Sequence, residues 1–303
     1  MARQTERGSS RTRQRSSFRR PAAFGAEWSA ALRRGADAEL RGWVDAALGW
    51  CDETDAIALE QFRRDLGVRR KPDRTFVTLA DTAIERWLRE RIADAYPDHG
   101  VVGEEYGIEA GEAETRWYVD PIDGTHNYMR GVRIFGTLLA VERAGELQAA
   151  VLSAPALNER WYGWRGGGAW AVAGSEAAPR RLAVSSIDEL GDAHVVTTST
   201  SDVDASGRAP GMRKVLGGAW RERGFGDFWS YTLVAEGAAE AMFEVGLSPW
   251  DAAAPWLLVE EAGGRVTDLD GRRRWDDGSI IATNGLLHDA IRTMLVAREE
   301  TPR

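Results

Sequence analysis

Cysteine is almost missing from this chain: Cys51 is the only one among 303 residues. A lone cysteine excludes an intramolecular disulfide and a cysteine-based zinc site, and it suits a reducing compartment. Cys51 follows Gly49 and Trp50 in a predicted helix and reads as a small packed residue, not a nucleophile. Histidine is scarce as well. The four (His99, His126, His194 and His288) are scattered singly, so no histidine-rich metal site is visible. No apolar run approaches membrane-spanning length. Neither a G-x-S-x-G elbow nor a phosphate loop ending in G-K-[ST] occurs. Gly166-Gly167-Gly168 lies between strand-like pieces and lacks that ending, so it reads as a hairpin turn.

Positive charge is concentrated at the start. The formal net charge is −8; residues 1–22 contribute +6 (seven arginines against Glu6), which leaves −14 on the remainder. An acidic body argues against nucleic acid as the main partner and suits cation binding. Residues 1–22 are rich in Arg and Ser with almost no aliphatic residues, and read as a disordered tail. The tail has no hydrophobic h-region, so it is not a secretory signal, although its composition also matches an organellar transit peptide.

What remains is a globular composition, 43% hydrophobic and 28% charged, long enough for one large domain or two fused layers. We divide it into an α+β half over 23–180 and an α/β half over 181–303, separated by a composition break at Ala173–Arg181. In the first half, helical patterning over Ala36–Leu66 is interrupted by a polar break at Asp52–Asp55. A turn at Pro72-Asp73, a strand at Thr75–Val77 and a patterned helix ending near Tyr96-Pro97 follow, with Thr78-x-x-Asp81 spaced as a cap. Val101–Gly103 reads as a short strand, and Ile134–Glu142, Leu147–Ser153 and Glu159–Trp164 as an antiparallel meander. The second half alternates. Strands are expected at His194–Thr198, Gly224–Phe228, Ala241–Val245, Gly264–Thr267 and Ile280–Thr283, and helices near Arg208–Leu216, Ser230–Gly237 and Asp251–Ala262. Pro255 falls in the first turn of the last helix on this reading.

Trp117-Tyr-Val-Asp-Pro-Ile-Asp-Gly-Thr125 draws the rest together. The strand should end at Asp120, because Pro121 fixes its own φ. Two carboxylates three residues apart on a stiff turn can share a hard divalent cation. The N–H groups of Gly124 and Thr125 lie just beyond, where a phosphate could be cradled. An Asx-rich turn after a strand is an equal reading of the motif by itself. Glu104, Asp120, Asp123 and Asp251 all stand at element ends, however, and metal-assisted phosphate ester hydrolysis would unite them. Mg²⁺ takes oxygen ligands, keeps part of its hydration shell, and needs neither histidine nor cysteine. A phosphatase of the D-x-D-G-T kind is discounted, since these aspartates are i and i+3.

Gly103-Glu-Glu105, Asp120-Pro-Ile-Asp-Gly-Thr125, Trp250-Asp-Ala-Ala253 with Gly263-Gly264, and Val77-Thr78-x-x-Asp81-x-x-x-Glu85 resemble the inositol monophosphatase superfamily over residues 38–295. Lys71-Pro-Asp, Gly103–Gly107, Asn127-Tyr-x-Arg-Gly131, Ser153–Ala156, Gly224–Tyr231 with Val234–Gly237, and Ala282–Gly285 resemble its histidinol-phosphate phosphatase branch most. The resemblance implies a layered αβαβα sandwich, a homodimer, a cytoplasmic setting and two or three Mg²⁺ ions. It further implies a phosphate monoester hydrolase acting on histidinol phosphate, with inositol or another sugar phosphate as the alternative. Glu104, Asp120, Asp123 and the Ile122 carbonyl would bind the first metals, and Asp251 would complete a shared site. Thr125, oriented by Asp81, would help Glu104 activate water, while Gly124 and Thr125 hold the phosphate. Asp227, Glu236 and Asp251 are the candidates on the substrate side, since carboxylates suit an amino-alcohol bearing an imidazole. His126 departs from the lysine or other polar residue expected after Thr125, and reads as a tolerated surface change.

Overall fold

A computed structural model describes residues 38–64, 66–71, 76–174 and 178–296. The basic tail expected at 1–22 lies outside the described residues. Two large sheets set the architecture. The first has eight strands: β3 (Gly100–Gly103), β4 (Gly107–Glu109), β5 (Thr115–Asp123), β6 (Gly136–Arg143), β7 (Glu146–Ala154), β8 (Glu159–Trp164), β9 (Gly168–Ala173) and β10 (Arg180–Arg181). They lie in the order β10-β9-β8-β7-β6-β5-β3-β4. Only the β3–β5 pair in it is parallel. The second sheet is built from β11 (His194–Thr197), β12 (Arg221–Gly224), β13 (Ala241–Val245), β14 (Arg265–Thr267) and β15 (Ser279–Thr283), in the order β12-β11-β13-β15-β14. A separate hairpin joins β1 (Arg69–Arg70) to β2 (Phe76–Val77).

Both faces of the eight-stranded sheet are covered, which explains why its strands read as nearly continuous apolar runs. Alternate residues split between two cores. Trp117, Val119, Leu139, Val141, Ala149 and Val151 pack under α1 (Ala38–Gln61) and α2 (Leu79–Ala95). Tyr118, Leu138, Ala140, Ala150 and Leu152 face the opposite way, into a core shared with α6 (Asp227–Ala235) and α7 (Pro249–Glu261). Those two helices also cover the second sheet, whose other side carries α5 (Ala209–Gly218) and α8 (His288–Val296). The stacking is therefore helix, sheet, helix, sheet, helix, the αβαβα sandwich that the resemblance implied. Two short helices, α3 (Thr125–Arg130) and α4 (Thr200–Ala205), lie in connections.

Four local expectations are corrected. The first helix runs unbroken through Asp52–Asp55. Asp55 is buried and faces Arg160 of β8 at 2.5 Å, with the Ser153 hydroxyl donating to both its oxygens at 2.8 and 2.9 Å. An ion pair thus replaces the apolar contact that periodicity looks for. Strand β5 does not end at Asp120. It continues to Asp123 through a register shift, and Pro121 lies in that irregular stretch, where its missing N–H breaks no ladder bond. Gly224–Phe228 is not one strand: β12 stops at Gly224 and α6 opens at Asp227. Finally, α7 begins at Pro249, so Pro255 stands inside the helix, past its first turn. Strand β4 and helix α8 had no counterpart in the sequence reading. The hairpin at Gly166–Gly168 is present, between β8 and β9. Cys51 is fully buried, and burial pushes its thiol up to about 12, as befits a packed residue.

Removing one partner of the Asp55–Arg160 pair strands a buried charge. Asp55→Ala should therefore cost about 3–5 kcal/mol in urea unfolding, several times the loss expected at an exposed pair such as Arg265–Asp289.

Candidate active site

The shift in β5 shapes the centre of the site. Past Asp120, the Ile122 N–H donates to Asp120 Oδ1 at 3.0 Å, which fixes the first carboxylate against its own strand. Gly124 then turns the chain at φ 76°, and a Cβ there would meet the Ile134 carbonyl at 3.0 Å. Only glycine suits both the angle and the space. Asp251 arrives from the other end of the sequence, in the first turn of α7, where its Oδ2 accepts the Ser248 N–H at 2.8 Å. Asp251 therefore caps its helix through one oxygen, as its position in the first turn suggested. One oxygen from each of Asp120, Asp123 and Asp251 falls within 4.8 Å of the others.

A second carboxylate group adjoins the first. Asp81, Glu104 and Glu105 each offer an oxygen within the same 4.8 Å limit. Glu104 and Glu105 lie in the turn after β3, and that turn is buttressed from α2. Glu85, fully buried, accepts the N–H groups of Glu105 at 2.6 Å and Tyr106 at 3.1 Å, and is paired with Arg89 at 2.9 Å. Gly103 is required here, since a Cβ would come within 2.1 Å of Glu85 Oε1. The Lys71 ammonium touches Glu104 at 2.8 Å and Glu105 at 2.6 Å.

The inner three acids, and Glu104 of the outer group, border a cleft of about 690 Å³ whose walls also include Thr125 and Asp227. Crowded, buried carboxylates resist ionisation. Burial first, then Glu104 and Asp123, holds Asp120 well above the usual range; burial and Asp227 do the same to Asp123. Asp251 is pushed up to about 7 by burial, and Asp227 to about 6. An all-oxygen donor set of this kind fits a hard divalent cation, which would relieve the repulsion that the fold imposes.

Not every expected residue takes its expected place. Asp81 is turned to its own helix: its Oδ2 accepts the Thr78 N–H at 2.8 Å and the Thr78 hydroxyl. The Thr125 hydroxyl donates instead to the Ile122 carbonyl, at 3.0 Å. Asp81 and Thr125 thus have separate partners, and Ile122 has one for its carbonyl. Glu236 is not among the residues that line the cleft; it accepts the Trp161 indole N–H at 2.5 Å and pairs with Arg180 at 3.4 Å. Asp227 does line the cleft, in a left-handed conformation at φ 53° that is uncommon for aspartate. Asn127 holds it, donating to Oδ2 at 2.9 Å, while the next N–H, Phe228, donates to Asp123 at 2.6 Å. His126 borders the cleft and meets Phe76 edge-on, at 5.7 Å between rings.

Sequence reasoning passed over Glu244. It lines the cleft from β13, accepts the Tyr231 hydroxyl at 2.8 Å, and is raised to about 7 by burial. The available signal was a lone acid inside the apolar strand Ala241–Val245.

The model of the inositol monophosphatase family matches residues 39–300. The chain belongs to that family. Of its relatives, a histidinol-phosphatase of Mycobacterium tuberculosis is 44% identical over 83% of this chain and 96% of its own. A histidinol-phosphatase of Streptomyces coelicolor is 42% identical, over 79% of this chain and 91% of its own. Among solved structures, an inositol monophosphatase of Thermotoga maritima superposes with a TM-score of 0.75 at 28% identity, covering 84% of this chain and 96% of that one. Membership makes the chain a phosphatase.

The raised carboxylates set a stability rule for this family member. Asp251 holds its proton up to about 7 when folded, against 3.8 in its ordinary state. Between those values the metal-free folded protein binds more protons than the unfolded chain, so stability falls as pH rises. The melting temperature of the metal-free protein should therefore drop from about pH 5 to about pH 8, and Mg²⁺ should reverse that drop most strongly at the alkaline end.

Proposed function

We propose that the chain is a Mg²⁺-dependent phosphatase that hydrolyses L-histidinol phosphate to L-histidinol and phosphate. The observation that carries the metal chemistry is the meeting of Asp120, Asp123 and Asp251 within 4.8 Å at the cleft. The relatives named histidinol-phosphatase at 44% and 42% identity support the substrate. On this reading Asp120, Asp123, Asp251, Glu104 and the Ile122 carbonyl hold two or three ions. Divalent cations, when bound, neutralise the phosphate and acidify water.

The chain's own groups do the rest. Backbone N–H groups of Gly124 and Thr125 hold the phosphate at the start of α3. Glu104, with Thr125, takes the proton from the attacking water, the phosphorus–oxygen ester bond breaks as the new bond forms, and that proton is returned through solvent to the departing alkoxide. The alcohol leaves toward the wall formed by Asp227 and Glu244. Two carboxylates there, in a cleft also lined by Phe76 and His126, suit a cationic amino-alcohol bearing an imidazole better than a neutral polyol. Glu244 takes over the substrate-side role first assigned to Glu236. The same reading places the enzyme in the cytoplasm as a homodimer, in histidine biosynthesis. No helix among the described residues is long and apolar enough to cross a membrane, and the buried Cys51 suits a reducing compartment. Hydrolysis of inositol or other sugar phosphates is the second reading, favoured by the family as a whole.

A substrate panel with Mg²⁺ separates the two. Phosphate release from histidinol phosphate should exceed that from inositol 1-phosphate; equal or slower release sinks the assignment. Asp120→Asn or Asp251→Asn should lower turnover by at least about a hundredfold while the circular dichroism spectrum is retained. Glu244→Gln should raise KM for histidinol phosphate on the order of tenfold, and Glu236→Gln should leave KM unchanged.

A further inference from the structure

Lys71 has no part in the chemistry above, yet its ammonium is within 2.8 Å of Glu104 and 2.6 Å of Glu105. Glu104 and Glu105 form, with Asp81, the outer carboxylate group. Asp81 is fully buried, and its Oδ1 has no hydrogen-bond partner. Three acids therefore meet beside Glu104, and a side-chain cation is already bound to two of them. Charge is left over: one ammonium is set beside three carboxylates.

The carrier of that ammonium lies outside the two large sheets. Lys71 directly follows β1, and the β1–β2 hairpin belongs to neither large sheet. Its pairing is confined to Arg69 with Val77 and Arg70 with Phe76. Withdrawing Lys71 would break its salt bridges to Glu104 and Glu105, whereas the turn that carries those acids is fixed by Glu85. The hairpin's second strand, β2, leads through Thr78 into α2, whose first turn carries Asp81.

We propose that Lys71 is a tethered counter-cation that occupies the outer carboxylate group until a divalent ion displaces it. Ions bound on that side of Glu104 are weakened by the competition, and those at Asp120, Asp123 and Asp251 are not. This inference rests on the metal reading of the site. Lys71 acts through Glu104 and Glu105, as a positioning residue for them in the metal-free protein.

Calorimetric titration of Mg²⁺ into the full metal-free chain, without substrate, tests it. Lys71→Met should tighten the weakest class of sites by on the order of tenfold, leaving the tighter class unchanged. Lys71→Arg keeps the charge and should reproduce the wild-type isotherm. A second measurement needs no variant, because Lys71 and Lys214 are the only lysines in the chain. Acetylation followed by mass spectrometry should show Lys71 protected without metal and labelled faster as Mg²⁺ fills the weaker sites, with Lys214 constant. Two sites unaffected by Lys71→Met, together with Lys71 labelling that ignores Mg²⁺, would overturn the tether and leave the metal reading standing. A wild-type chain that binds no divalent ion overturns both.

Discussion

Like charges gathered in a buried place repel one another and lose hydration, and the rest of this molecule is arranged to keep them there. Asp120 and Asp123 come from the irregular end of β5, and Asp251 from the first turn of α7. Their approach within 4.8 Å has no source in the carboxylates themselves. It follows from β5 lying in a covered sheet and α7 being clamped between two sheets by Trp256, Leu257, Leu258 and Val259. A core of that kind is close-packed and yields little, so it can hold an unfavourable polar group at its edge. A divalent cation turns that repulsion into attraction.

The supporting bonds all run in one direction, from scaffold to carboxylate. Ile122 N–H steadies Asp120, Phe228 N–H steadies Asp123, Ser248 N–H steadies Asp251, and Glu85 steadies the turn that presents Glu104. Each leaves at least one oxygen available to the cleft side. Helix α6 has a double duty, because its first residue, Asp227, borders the substrate space while its second donates to Asp123. One helical turn thereby links a carboxylate of the cleft wall, Asp227, to the placement of Asp123.

Much of this was legible in the sequence, for reasons that differ from residue to residue. The acids at element ends, Glu104, Asp120, Asp123 and Asp251, stood out because carboxylates that end strands or open helices are set apart from solvated faces. The meander strands were readable from apolar runs between turn residues. Asp55 was not readable, because its partner Arg160 is far along the chain and a polar residue in a helix looks like an interruption. The cleft position of Glu244 was not readable beside Glu236 for a similar reason. Both are single acids near the same helix and strand, and only packing decides that Glu236 meets Trp161 while Glu244 meets the cleft. Pro121 was read by its ordinary effect on a strand, whereas the ladder shifts in register where it falls.

The central claim is that these buried acids are held apart from solvent for the sake of a divalent ion. Crystals of the protein grown with Mn²⁺ and measured at the manganese edge test it most directly. The account predicts an anomalous difference peak between Asp120, Asp123 and Asp251, with oxygen ligands at about 2.1–2.2 Å. Well-ordered carboxylates with no anomalous peak among them would contradict it.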